Sequence, residues 1–190
     1  MAATQLLDRF RVDLTQVKNS TRWYNDQVQA MKKGQVTSNR MLRETGMKHV
    51  NRIQPGQLYF YYYDPKLKDT LPYYDTFPLV FPFKAVPGGF LGLNLHYLGY
   101  PERFALFKKL LSINGGKIHD DLKMKYTWQT VSQFASIKGV DACIKHYLYD
   151  HVRSPFMKVQ PVDWTTAMLL PVEKFVGAKK EFIWSESKKR

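Results

Sequence analysis

The chain of 190 residues carries 29 Lys and Arg against 16 Asp and Glu, a formal charge of +13, and 44% of its residues are hydrophobic. That is core material for one domain, and it excludes collagen-like and wholly disordered classes. The lone cysteine, Cys143, leaves no intramolecular disulfide and no Cys-rich zinc site.

At the N-terminus, Leu6, Leu7, Phe10, Leu14 and Val17 recur at helical spacing. Asp8, Arg9, Arg11 and Asp13 interrupt the apolar core that a secretion signal would need. A second helix is expected from Ser20 or Thr21 to a cap at Gly34, and a short third between Ser38 and Gly46. With ten basic and four acidic residues, 1–55 reads as a basic helical N-terminal arm. Its thin apolar stripe must pack on the body or on a partner, and Trp23, Lys32 and Lys33 are its candidate partner-binding residues.

The composition changes at Pro55-Gly56. Leu58, Phe60 and Tyr62 share one face of a strand and Tyr59, Tyr61 and Tyr63 the other, so both faces must be covered; Asp64-Pro65 ends it. A turn-rich loop leads to strands at Leu79–Ala85 and Phe90–Tyr97, a hairpin about Pro87-Gly88-Gly89. Pro82 has no N–H for the ladder and marks an edge, a bulge or a bend. From Pro101 the period becomes helical, with Phe104, Phe107, Leu110 and Leu111 on one face and a stop at Asn114-Gly115-Gly116. Two more helices are expected over Thr127–Ser136 and Asp141–Arg153, then strands at Phe156–Val159 and Thr165–Pro171.

This succession describes an α+β fold: a small, strongly bent antiparallel sheet or barrel of SH3-like type with a three-helix insertion, forming a body over 56–178. The basic tail 179–190 surrounds Phe182-Ile183-Trp184 and is expected to dock through Trp184 and then fray. No stretch reaches the roughly 18–20 apolar residues that span a bilayer, since Pro78 and Pro82 break the run Phe77–Phe83. The protein is therefore expected to be soluble, with no membrane partner.

The residues offer little catalytic chemistry. Of the histidines at 49, 96, 119, 146 and 151, only His146 and His151 are close, and a separation of five puts them off one helical face. His96 reads best as a half-buried strand histidine making one hydrogen bond. Asp64, Asp69 and Asp75 sit in a turn-rich loop where Asp caps turns, and Asp120-Asp121 reads as a helix cap. No strand-borne acid followed by x-Lys marks a nuclease core, and Gly115-Gly116-Lys117 lacks the rest of a Walker loop. Cys143 reads as a small packing residue. The expectation is a non-enzyme without catalytic residues, metal or cofactor.

The charge makes a polyanion the default partner. Candidate phosphate contacts are Lys108, Lys109, Lys123, Lys125, Lys179 and Lys180, and Tyr73 and Tyr74 are candidate stacking residues for unpaired bases. No Arg-rich recognition helix is visible, which argues against sequence-specific reading.

The segments PGQLYFYYYDPKLKDTLPYYDTFPLVFPF and GGFLGLNLHYLGYPERFALFKKLL, with ACIKHYLYDHVRS and DWTTAMLLPVEKFVGAKK, resemble the DNA end-protector proteins of T-even-type tailed bacteriophages over about residues 55–185. The resemblance implies a virion protein of a myovirus that binds the ends of the linear double-stranded genome and shields them from host exonuclease without catalysis. It implies residence in the virion, and in the host cytoplasm during assembly and after injection. The alternative is a structural component of the neck, portal region or baseplate, joining other virion proteins through its arm and tail.

Overall fold

The computed structural model describes residues 21–34, 36–44, 47–114, 120–135 and 140–189. The helix expected over residues 6–17 lies outside them. Two helices open the described chain, α1 (Thr21–Lys33) and α2 (Ser38–Glu44), matching the second and third expected helices. Val28 and Met31 of α1 and Met41 of α2 are buried in the main core, and α1 packs on helices of the body.

Eight strands follow among the described residues: β1 (Lys48–Val50), β2 (Leu58–Phe60), β3 (Tyr74–Asp75), β4 (Leu79–Val86), β5 (Gly89–Asn94), β6 (Ile144–Leu148), β7 (Phe156–Val159) and β8 (Phe175–Val176). Six form one antiparallel sheet in the order β1-β7-β2-β4-β5-β6, while β3 pairs with β8 apart from it. The sheet is open, with β1 and β6 at its edges, so the SH3-like barrel expected from the sequence does not close.

The central position of β2 explains its composition. Leu58 and Phe60 enter the main core, while Tyr59, Tyr61 and Tyr63 enter a second cluster with Val80, Phe90, Tyr147 and Phe156. Within that cluster Tyr61 meets Tyr147 and Phe156 edge-on at centroid distances of 5.5 and 5.0 Å, the arrangement that ring quadrupoles favour.

The β4–β5 hairpin turns at Pro87-Gly88, with Gly88 at φ 70°, a conformation that glycine adopts without a Cβ penalty. Pairing shifts register between Pro82 and Lys84, the bulge among the options that Pro82 left open. Gly89 begins β5 opposite Leu148, so close that an added Cβ would fall on the carbonyl oxygen of Tyr147. Gly89→Ala is therefore expected to cost about 1–3 kcal/mol, since only backbone movement relieves the overlap. A urea melt checks this; an unchanged midpoint would refute the close approach.

Between β5 and β6 run α3 (Tyr100–Asn114) and α4 (Asp120–Ala135), packed on each other. The expected third helix of this insertion, Asp141–Arg153, is instead a 3-10 turn (Asp141–Cys143), strand β6 and another 3-10 turn (Tyr149–His151). Ladder pairing with β5 and burial of Tyr147 outweigh the helical spacing of Ile144, Tyr147 and Leu148. The reverse error occurs at Thr165–Pro171, where the expected strand is the helix α5 (Trp164–Leu169). All six of its residues are buried, and an apolar run without alternation does not distinguish strand from helix. The tail forms α6 (Lys180–Lys189), which docks through Ile183 and Trp184 and stays helical to Lys189 instead of fraying.

Candidate functional site

The loop from Tyr63 to Tyr74 and strand β6 flank a cleft of about 310 Å3. Its walls are chiefly apolar and aromatic, including Leu67, Tyr73, Tyr74 and Tyr97, and two cations, Lys66 and Lys145, lie in its lining. The Nζ of Lys145 sits 4.1 Å from the centre of the Tyr97 ring, a cation held over a π-face. Leu67 and Leu71, which also line the cleft, are exposed by 60% and 41%.

The cleft has a polar floor. Asp75, carried by β3, accepts from the backbone N–H of Phe77 at 3.0 Å through Oδ1; Oδ2 meets His96 Nδ1 at 2.7 Å and Asn94 Nδ2 at 3.2 Å. Asn94 Nδ2 also donates to the Tyr147 hydroxyl at 3.0 Å, and its Oδ1 accepts from the His96 backbone N–H at 2.9 Å. Burial, with Asp75 nearby, pushes the Tyr97 and Tyr147 phenols up, so both remain protonated. Asp75 thus caps its turn as its loop position suggested. His96 does make one side-chain hydrogen bond, but it is fully buried in a 3-10 turn (Leu95–Tyr97) rather than half-buried in a strand.

Beneath the floor lies a second charged cluster. Arg103 is fully buried and donates to the carbonyls of Leu98 (2.9 Å), Met168 (3.0 Å) and His96 (3.3 Å) and to Glu173 Oε1 (2.8 Å). Its guanidinium lies 5.0 Å from the Tyr100 ring centre and 5.6 Å from that of Trp184. Trp184 Nε1 donates to the same His96 carbonyl at 2.7 Å, so α3, α6 and the cleft floor converge on one peptide unit. Burial opposes ionisation of Glu173, but Arg103, His96 and Lys180 outweigh it and hold the carboxyl down at about 2.

Of the sequence-named cations, Lys108, Lys109, Lys125 and Lys179 lie outside the lining of the cleft. Lys108 and Lys109 are exposed on α3, their ammonium groups 5.7 Å from the Phe104 ring and 6.0 Å from the Phe134 ring. Lys125 is exposed on α4, and Lys179 is exposed just before α6. Lys180 is partly buried, 3.5 Å from Glu173 and over the Tyr100 and Trp184 rings, so it already serves the Arg103 cluster. The Lys123 side chain lies outside the described residues. On α1, Lys32 and Lys33 are exposed while Trp23 packs against the main core. The structure brings Tyr73 and Tyr74 together at the cleft; Tyr73 also meets Tyr97 and Phe182.

Sequence reasoning did not single out Lys66 and Lys145, because a lysine in a loop and one in a supposed helix carry no local signal. Nor did it find Arg103, which sits one turn into α3 among apolar neighbours. Its position on the apolar face, beside Phe104 and Phe107, was the available hint.

Among the described residues no group of three or more His, Cys, Asp or Glu side chains is placed to hold a metal ion. Burial pushes the Cys143 thiol up to about 12, the opposite of an activated nucleophile. No helix of the described residues is long and apolar enough to cross a membrane.

No curated protein and no solved structure matches the chain. The family model described as Phage T4 terminal DNA protecting protein matches residues 3–189, nearly the whole chain, and the chain belongs to that family.

Proposed function

We propose that this protein caps the ends of a linear double-stranded phage genome and denies them to exonuclease by occupancy, without breaking a bond itself. The observation that carries the reading is the family match along almost the entire chain, to proteins that protect terminal DNA. The surface chemistry supports it. Lys84, Lys125, Lys174 and Lys179 are exposed and have no carboxylate partner among the described residues. An exonuclease loads on a terminus, so a cationic body seated there excludes it, and counterion release drives the seating. The protein travels with the genome in the virion and reaches the host cytoplasm after injection. The exposed basic end of α1, with Lys32 and Lys33, is the face it offers to acidic virion neighbours.

The test compares blunt linear and covalently closed duplex of equal length over a salt series, with exonuclease challenge of the linear form. Preferential binding to linear DNA, steep loss of affinity with salt and survival of the protected ends are expected. Replacing both Lys108 and Lys109 with alanine is expected to reduce the salt slope by about two, one for each phosphate that is no longer neutralised. Equal binding to both DNA forms without protection overturns the proposal.

A further inference from the structure

We infer that the cleft beside β6 takes one unpaired terminal nucleotide of the genome end, stacking its base without reading its identity. The inference rests on the end-binding reading and specifies how the end is engaged.

Size comes first. At about 310 Å3 the cleft is at the lower end of small-molecule sites, which run from about 300 to 1,000 Å3, and it has no room for a duplex end. Chemistry comes second. Tyr73 and Tyr74 offer aromatic surface, half-buried and held by the fold, and Leu67 and Leu71 extend the apolar wall outward where they are exposed. Stacking on aromatic side chains contributes about 1–3 kcal/mol per base and tolerates any base, because each has a π-face. Charge comes third. Lys66 and Lys145 are placed for the phosphate that joins the stacked nucleotide to the duplex, and Lys145 is steadied over Tyr97. The phosphodiester chain would leave toward solvent on the Lys66 side, since that residue is exposed.

The floor explains the indifference to sequence. Both protons of the Asn94 amide are committed, to Asp75 and Tyr147, and its oxygen accepts from His96. Both oxygens of Asp75 are likewise engaged. A base entering the cleft meets an Asn94 amide and an Asp75 carboxylate already engaged with their neighbours, so shape and π-surface select it rather than an edge pattern read by these two groups. A protein that must cap any end needs this property.

The experiment measures binding of the full chain to linear duplexes with a blunt end, a one-nucleotide overhang and a two-nucleotide overhang, with 2-aminopurine as the unpaired base. Overhung ends are expected to bind at least tenfold tighter than blunt ends, with quenched fluorescence and less than threefold variation among the four terminal bases. Tyr74→Leu keeps apolar volume but removes the π-face, and Lys66→Gln alters an exposed side chain, so both are expected to fold. Each is expected to reduce the overhang preference at least threefold while leaving blunt-end affinity within twofold. A deoxynucleoside monophosphate separates a genome end from a free nucleotide: displacement only at millimolar concentration is expected, and displacement at micromolar concentration overturns the assignment. Overhang and blunt affinities that match, unquenched 2-aminopurine, or variants indistinguishable from the parent also overturn it, while leaving end protection intact. Loss of all preference for linear over closed DNA overturns the end-binding reading itself, and the cleft assignment with it.

Discussion

Arg103→Met is expected to lower the free energy of unfolding by about 3–5 kcal/mol, the cost of stranding one partner of a buried ion pair. The arginine has no exposed surface and Glu173 is only 2% exposed at its side chain. Methionine retains much of the volume between Tyr100 and Trp184 but leaves the Glu173 carboxylate without its nearest cation. Three backbone carbonyls, of Leu98, Met168 and His96, lose a donor as well. Adding Glu173→Gln removes the stranded charge, so the double variant is expected to be less destabilised than the sum of the singles by at least 1 kcal/mol. Urea unfolding followed by tryptophan fluorescence checks both. Additive effects would show that the two side chains do not act as a pair.

Acid is expected to unfold this protein partly through the same carboxylate. The Glu173 carboxyl lies at about 2 in the folded protein against an ordinary 4.5. Between these values the unfolded chain binds the proton and the folded protein does not, so stability rises with pH across this window. The contribution is complete above about pH 5 and is lost as pH falls toward 2. At 1.36 kcal/mol per pH unit it amounts to about 3 kcal/mol. Glu173→Gln is expected to flatten the stability profile of the parent between pH 5 and pH 2 by that amount. Parallel profiles for the two proteins would contradict the assignment.

The two clusters divide the work of the fold. Arg103, Glu173 and Trp184 fasten α3 and α6 to the His96 peptide, and His96 in turn holds Asp75 at the base of the cleft. Loss of Arg103 is thus expected to loosen the cleft although the guanidinium lies outside it. This coupling is structural: it runs through the buried hydrogen bonds that meet at His96.

Local pattern made a good part of the molecule legible. The two apolar faces at 58–63, the Pro-Gly turn, the bulge near Pro82 and the helix from Pro101 depend on neighbours in the chain and are found where spacing and turn chemistry put them, although the strand itself covers only Leu58–Phe60. The charge of +13 is a property of composition and needed no fold. The α+β class followed from the alternation of periods along the chain. The tertiary structure decided the rest. Whether 144–148 is helix or strand depends on an empty edge beside β5, and whether 164–169 is strand or helix depends on complete burial, neither of which a local window contains. Whether the sheet closes depends on its two outer strands, 94 residues apart from Val50 to Ile144. The cleft likewise joins Lys66, Tyr74, Asn94 and Lys145, and the Arg103 cluster joins residues 70 positions apart. Periodicity reports which face of an element is buried; only packing reports which distant side chains share that burial, and the site is made of such meetings.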